Sequence, residues 1–411
     1  MESFNESLRY KPRTKQRLFK FCVNKIVKVE AKGNQRRGLR CPEPRSGHRI
    51  VANGGNVYAF GGFNPRTDDI EPDQTPDRVL FKELWKFNYA SKTWFNLETY
   101  GQMPEELASH SAVLINNYML VFGGTGVPFG ESSSNSTHIC NLDTLEWSTL
   151  QTTGSPPLEQ YGQAMAVHQN KMYVVGGTTG YDYSMSVHCL DLNTREWKLL
   201  EKNVINEMNF EPEPRYRHEI VIEGNQILVF GGGTAFECFG FKEVPVFNLD
   251  DYTWRSCPTS EEYPAARRCH GCVRLGNEVF ICGGQDGSRI FSDVWKINLK
   301  TLQWEKLNTN LPTPVYFHSA AISQAGQLFV FGGVNSILEN SRTNELFSMW
   351  VKIPSLAEMC WEAILYYIPH IARLKKENLF EAGVPVHFLN QIVFESSLEK
   401  EIKNCCNRLQ S

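Results

Sequence analysis

Residues 267–307, RRCHGCVRLGNEVFICGGQDGSRIFSDVWKINLKTLQWEKL, decide the fold, because this stretch is one copy of a unit that recurs along most of the chain. Its landmark is an apolar run, Val279-Phe280-Ile281-Cys282, closed by Gly283-Gly284. The same run-plus-diglycine recurs as YAFGG ending at Gly62, LVFGG at Gly124, YVVGG at Gly177, LVFGG at Gly232 and FVFGG at Gly333, giving six copies. Successive landmarks lie 62, 53, 55, 52 and 49 residues apart.

Each of the first five units also carries an apolar residue followed seven positions later by Trp, with turn formers between: Phe87 and Trp94, Cys140 and Trp147, Leu190 and Trp197, Phe247 and Trp254, Ile297 and Trp304. That pairing predicts a β-hairpin. One unit therefore reads as four short strands: HGCVRL (a), EVFICGG (b), DVWKINL (c) and QWEKL (d). A diglycine suits the inner end of strand b, where backbones crowd and a positive φ costs glycine nothing. The Trp of strand d offers a large apolar area to the neighbouring unit. A period near 50 residues with this pattern resembles the kelch repeat, each copy one blade of a β-propeller. The resemblance covers roughly residues 45–350 and predicts an all-β, six-bladed propeller.

The sixth unit has strand a from Phe317, strand b ending at Gly333 and strand c from Asn344, but no Trp-bearing strand d. An open ring would leave a sheet edge unpaired. Counting back from His48, as the other units count from their strand-a His or Gln, lands on residues 27–32. Residues 24–31, NKIVKVEA, alternate β-branched residues and are expected to supply the missing strand. The propeller is accordingly expected to span 24–353, preceded by a flexible basic arm, 1–23.

Net charge is −3, yet residues 1–50 hold fourteen Lys or Arg against four Glu. The arm could serve nuclear import or touch an acidic surface; a solvated terminus explains it as well. With no apolar leader after Met1 and no run of 18 apolar residues, an intracellular protein, cytoplasmic and nuclear, is expected, with no membrane or nucleic-acid partner. The twelve cysteines are scattered over strands, for example Cys140, Cys189, Cys238 and Cys282, and are expected to be free thiols. Cys269 and Cys272 form a CxxC, but no second pair stands at zinc-ribbon spacing, and strand alternation accounts for both. No metal or other cofactor is expected. The acidic stretch Asn64–Asp77 reads as a solvated loop.

From Pro354 the period becomes helical. Leu356, Met359, Cys360, Ala363, Ile364 and Tyr367 form one stripe, opened by a Ser355/Glu358 capping box and ended by Pro369; Gly383 and Pro385 set off a last short helix. This helical appendage is expected over 354–395, with a tail at 396–411. The spacing Ser355-Leu356, Cys360, Ile364 resembles the BC box, the elongin C-binding helix of cullin–RING ubiquitin ligase receptors. In such a helix Leu356 would be the knob, Cys360 the small residue that lets helices approach, and Met359 and Ile364 the continuation of the face. Ile368-Pro369 resembles the cullin-binding pair of a cullin-2 box. Ile371 occupies the place of the second proline expected of a cullin-5 box.

Six kelch units followed by this box are similar to the kelch-domain substrate receptors of cullin-2 ligases. The stretches FGGTGVPFGES (122–132), QYGQAMA (160–166), RYRHE (215–219), AARRCH (265–270) and PVYFH (314–318) carry that likeness. The resemblance implies a non-catalytic adaptor that presents substrates to a complex of elongin B, elongin C, cullin-2 and a RING-box protein. It also implies recognition of protein tails ending in Gly, through Arg and a hydroxyl. Two other classes fit a kelch propeller. A copper radical oxidase would need a Tyr/His/Cys copper site and secretion; a scaffold would bind a cytoskeletal or signalling partner without ubiquitin transfer.

Loops entering strand a converge on the propeller axis, so the residues before each strand-a His are candidates for a shared pocket: Ser46, Tyr161, Arg215-Tyr216-Arg217, Arg267-Arg268 and Tyr316. A terminal carboxylate calls for fixed donors, which an Arg fork supplies. Arg217 and Arg268 are the expected clamps, with Tyr216, Tyr161 and Tyr316 as walls. Arg215 and Arg267 share with Arg45 the pattern R-x-x-H and stand equally as clamps or as loop braces to carboxylates such as Glu219. Relatives carry Arg just after a diglycine; here Gly233-Thr234-Ala235 follows, so that residue has no counterpart.

Overall fold

A computed structural model of the chain describes residues 18–31, 41–65, 79–201 and 210–394. Most of the basic arm and of the acidic stretch, and the tail from 396, lie outside the described residues. Six four-stranded antiparallel sheets form the blades of a β-propeller, and two of them gain a fifth, two-residue outer strand paired parallel, Tyr100–Gly101 and Thr153–Gly154. Blade 1 consists of Arg49–Asn53, Asn56–Phe60, Leu84–Asn88 and Thr93–Leu97. Blades 2 to 5 repeat the plan over residues 111–149, 164–200, 219–258 and 271–310.

Blade 6 is composite. Ser319–Ile322, Gln327–Phe331 and Leu346–Trp350 supply three strands, and Val27–Lys28 pairs antiparallel with the last, Val27 opposite Ser348 and Lys28 opposite Phe347. Asn24 N–H to the Trp350 carbonyl and Val29 N–H to that of Leu346, both 2.8 Å, extend the pairing. Lys28 Nζ lies 2.8 Å from Glu345. Val29 is buried between blades 6 and 1 beside Ile50, Trp94 and Phe331. Residues 18–23, expected to belong to a flexible arm, are held against the fold: Phe19 N–H donates to the Tyr367 hydroxyl at 3.0 Å, and Phe21 packs on Trp350 at 5.7 Å. Two aromatic side chains in a basic stretch find apolar surface, which pins residues 18–22.

Neighbouring blades are joined by the same side chains in turn. The residue before a diglycine packs under the Trp of the next blade: Phe331 under Trp94 at 5.1 Å, Phe60 under Trp147 at 4.6 Å, Phe122 under Trp197 at 5.4 Å. Its carbonyl faces the next blade's strand-a residue, with His48 Nε2 3.1 Å from Phe331, Gln163 Nε2 2.8 Å from Phe122 and His218 Nε2 3.1 Å from Val175. Here the diglycine becomes obligatory. A Cβ on Gly176 (φ +60°) would meet His218 Cε1 at 2.6 Å, and one on Gly177 (φ +111°) the Gln163 backbone nitrogen at 3.2 Å.

The helical appendage contains Leu356–Tyr367, a 3₁₀ turn at Ile371–Arg373, and the short helices Lys376–Glu381 and Val386–Leu389. The Ser355 hydroxyl accepts from Glu358 N–H at 3.2 Å, the predicted cap. Trp361 stacks on Phe388, and with Leu365, Ile371 and Leu389 builds a core that rests on Tyr89 and Ala90 of blade 1. Asn88 Nδ2 donates to the Gln391 carbonyl at 2.6 Å, and the Tyr89 hydroxyl to Glu362 at 3.2 Å. In blade 1, strand a runs from the diglycine end to the turn at Gly54, and strand c runs the same way to the turn at Tyr89. The appendage therefore sits on the face opposite the diglycines. No helix of the described residues is long and apolar enough to cross a membrane.

Two measurements test this packing. Deleting residues 1–32 exposes the edge of blade 6 and removes Val29, and is expected to lower Tm by roughly 5–10 °C; an unchanged melting curve contradicts the closure. The buried imidazoles supply the second. Burial holds His110 and His218 down to about 3 and His318 to about 4, and His48 and His270 well below the usual imidazole range. The unfolded chain then binds more protons than the fold below about pH 6.5. Tm should be level above that pH and fall steadily toward pH 4; a flat profile over that range would show that the ring does not keep these histidines neutral.

Candidate functional site

The residues that precede the strand-a His or Gln are Gly47, Ser109, Gly162, Arg217, Cys269 and Phe317, and all six have left-handed φ, between +54° and +67°. Each backbone N–H donates to the carbonyl of the preceding blade's equivalent. Gly47 bonds Phe317 at 3.0 Å, Ser109 bonds Gly47 at 2.8 Å, Gly162 bonds Ser109 at 2.9 Å, Arg217 bonds Gly162 at 2.7 Å, Cys269 bonds Arg217 at 3.1 Å and Phe317 bonds Cys269 at 3.0 Å. The cycle closes around the axis. One residue earlier in each blade, Ser46, Ala108, Tyr161, Tyr216, Arg268 and Tyr316 pair with Phe63, Thr125, Thr178, Gly233, Gln285 and Val334, the residues after the diglycines. Five of the eight predicted pocket residues thus occupy one equivalent position around the mouth, and Arg217 lies in the ring itself.

The arginines divide by geometry. Arg267 is fully buried; its Nε donates to the Ala265 carbonyl at 3.1 Å, Nη1 to that of Gly283 at 3.0 Å, and the fork grips Asp293 at 2.6 and 3.1 Å. Arg215 repeats this with the carbonyls of Glu213 at 3.0 Å and Gly231 at 3.2 Å, its guanidinium 4.1 Å from the Phe239 ring. Arg45 does the same with Gly61 and Glu83. The R-x-x-H arginines are thus braces that tie the strand-a entry to the diglycine of their own blade. Glu219 plays no part in this: it pairs with Arg49 at 2.8 Å, joining blades 1 and 4 across the axis just inside the ring.

Arg217 is unlike these braces. It is half-buried, its Nη2 donates to Ser109 Oγ, and its guanidinium lies 4.5 Å from the Phe317 ring. Its Nε is buried without a hydrogen-bond partner, and no carboxylate pairs with it among the described residues. Burial pushes its pKa below the usual arginine range. A Cβ on Gly162 would come within 3.3 Å of Arg217 Nε, so that glycine makes room for the side chain. Arg268 donates to the Thr234 carbonyl and likewise has no carboxylate partner among the described residues. Burial raises Tyr161, Tyr216 and Tyr316, keeping their hydroxyls protonated as donors. Ser46 is buried, its hydroxyl donating to the Phe63 carbonyl at 3.3 Å and accepting from Arg342 Nε at 3.2 Å.

Beneath the ring is a cavity of about 20 Å³, lined by Arg49, Arg217, Glu219, His48, His270 and His318. It is room for about one water. No cluster of His, Cys, Asp and Glu among the described residues could hold a metal; of the CxxC only Cys272 lies on strand a, Cys269 being the left-handed ring residue before it, and burial pushes Cys269 up to about 12.

Sequence reasoning did not find Arg342, the Arg49–Glu219 pair or Tyr183, whose ring stands 5.3 Å from that of Tyr216. A signal for the ring existed: Gly47 and Gly162 mark a left-handed position, and the same column holds Arg217.

On the opposite face, Leu356 is 72 % exposed and Cys360 is exposed, while Met359, Ile364 and Ile368 are half-buried and Pro369 is exposed. The buried residues of this helix are Trp361 and Leu365, and Glu362 meets blade 1 at the Tyr89 hydroxyl.

Comparison with known proteins agrees with this architecture. The family model described as KLHDC2/KLHL20/DRC7 Kelch-repeats domain matches residues 11–232 and 200–366. Kelch domain-containing protein 10 of Xenopus tropicalis is 46 % identical over 361 residues, 87 % of either chain, and that of Homo sapiens 47 % over 352 residues, 85 % of this chain and 79 % of its own. This chain belongs to the kelch-repeat family that includes Kelch domain-containing protein 10. A more distant kelch relative, Kelch domain-containing protein 2 of Bos taurus, is 25 % identical over 392 residues, 86 % of this chain and 91 % of its own.

Proposed function

We propose that this chain is the substrate-recognition subunit of a cullin-2–elongin B/C–RING ubiquitin ligase, a non-catalytic adaptor that binds protein tails ending in Gly at the propeller mouth and acts in cytoplasm and nucleus. The observation that carries the reading is Arg217. It bears three costs at one residue: a left-handed φ of +58°, a half-buried charge with no carboxylate partner among the described residues, and an unsatisfied Nε. Strain and unpaired charge of this kind mark a ligand site more readily than a brace.

A terminal carboxylate supplies the missing counter-charge and accepts from the Arg217 and Arg268 forks, with Tyr161, Tyr216 and Tyr316 as neutral donors and walls. Arg215, Arg267 and Ser46 are occupied elsewhere and hold the loops that position them. At the other end, Leu356, Met359, Cys360 and Ile364 present the face that elongin C would cover, and Ile368 and Pro369 the edge for cullin-2. Separation of the two faces lets substrate and ligase bind together.

Two assays test this. The full chain co-expressed with elongins B and C should co-elute with them, and Leu356→Asp should abolish that without lowering Tm, because the side chain is exposed. A Gly-ended peptide should bind, and Arg217→Ala or Arg268→Ala should weaken it by about 1.5–3 kcal/mol, roughly ten- to a hundredfold; amidation of the peptide should do the same. Binding that survives amidation removes the carboxylate reading. A chain that binds peptide but never elongins is a scaffold instead.

A further inference from the structure

On the mouth face, the loops that follow the diglycines carry large apolar tips into solvent. Phe236 of blade 4 is 96 % exposed, Tyr181 of blade 3 84 % and Phe129 of blade 2 48 %. Exposed apolar side chains scattered singly need no explanation, but these three stand on adjacent blades at equivalent places.

The loops beneath them form one wall. Phe63 of blade 1 packs edge-on against Phe129, with ring centroids 4.9 Å apart. The loops of blades 2 and 3 touch through Gly130 and Gly180, where a Cβ on Gly180 would lie 2.8 Å from Gly130 Cα. Both glycines have left-handed φ, +86° and +102°, so the close approach is built into the backbone. Ala235 N–H then donates to the Tyr183 hydroxyl at 2.9 Å, fastening the blade 4 loop to blade 3. Loops so tied hold their tips in fixed positions. Blade 5 differs: its loop carries the ion pair Asp286–Arg289 at 3.0 Å. Blade 6 also raises an apolar tip, Leu338, 98 % exposed, but blades 1 and 5 separate it from the others, so the continuous apolar rim is an arc over blades 2 to 4, on the side of the mouth where Arg217, Tyr161 and Tyr216 lie.

We propose that this arc is a second subsite, which takes large apolar side chains of an extended partner segment several residues before the terminus that enters the mouth. The inference rests on the carboxylate reading above, because an end anchored at Arg217 fixes where the preceding chain crosses the rim. An extended chain advances about 3.3 Å per residue, so successive side chains alternate between the wall and solvent. A tail with apolar residues at alternate upstream positions would lay them on Phe129, Tyr181 and Phe236. The arc binds by contact area and has no donor that would demand one residue type, so it grades partners by apolar content and leaves selection of the terminus to the arginines.

The test uses the full chain and fluorescein-labelled twelve-residue peptides ending in Gly, with Leu or with Ser at alternate upstream positions. Wild type should bind the Leu peptide at least tenfold more tightly. The triple variant Phe129→Ser/Tyr181→Ser/Phe236→Ser, which gives up one packing contact, that of Phe129 with Phe63, should stay folded with at most a small fall in Tm and keep the Ser-peptide affinity while losing the preference. A preference that survives in the triple variant, or is absent from wild type, overturns the arc. The amidated Leu peptide separates the two readings: arc-dependent binding that persists without the carboxylate keeps the arc and removes the axial site. Failure of wild type to bind either free-acid peptide overturns both.

Discussion

The cycle of six backbone hydrogen bonds around the axis is the constraint on which the rest of the propeller depends. It closes only if the residue before each strand-a His or Gln turns left-handed, and all six do. That turn drops the strand-a residue beneath the ring, where His48, His218 and Gln163 reach carbonyls of the preceding blade. The imidazoles in turn leave no space for a side chain at the first glycine of the pair. Diglycine, histidine and ring are one device repeated around the axis, and the Trp-on-Phe contacts farther out add the apolar burial that makes it stable.

The same device makes a site. At the ring column, glycine would be the unstrained choice, and Gly47 and Gly162 show it. Arg217 in that column is carried to the axis by backbone geometry, and neighbouring Gly162 leaves the space it fills. Below it, the Arg49–Glu219 pair joins blades 1 and 4 and lines the small cavity that Arg217 also borders. The other face is given to the helical appendage, which buries Trp361 and Leu365 in its core, bonds blade 1 through Glu362 and Gln391, and leaves Leu356 and Cys360 exposed.

The propeller was legible in the sequence because its determinants are local and repeated: a diglycine after an apolar run, and a Trp seven residues after a strand-c apolar residue. Blade 6 could be read by what it lacked, with Val27–Lys28 standing where the count pointed, although that strand is two residues long and the docking of Phe19 and Phe21 left no pattern. The site was legible only in part. Sequence put Arg215, Arg217, Arg267 and Arg268 in one region, but brace and free arginine differ by which way a side chain leaves the loop. A partner such as Asp293, 26 residues on, carries no local signal. The Arg49–Glu219 pair spans 170 residues and opposite blades, a distance that no repeat pattern encodes. The appendage helix was read as one apolar stripe from Leu356 to Tyr367, whereas its buried residues are Trp361 and Leu365, outside that stripe, a choice that packing alone decides.

The central claim is that the ring places Arg217 for a ligand at a cost in stability. The melting temperature of Arg217→Gly tests it most directly. Glycine accepts φ +58° without strain and removes a half-buried charge lacking a carboxylate partner among the described residues, so the variant should unfold at or above the wild-type Tm. A fall of several degrees would contradict the account and make Arg217 one more brace of the propeller.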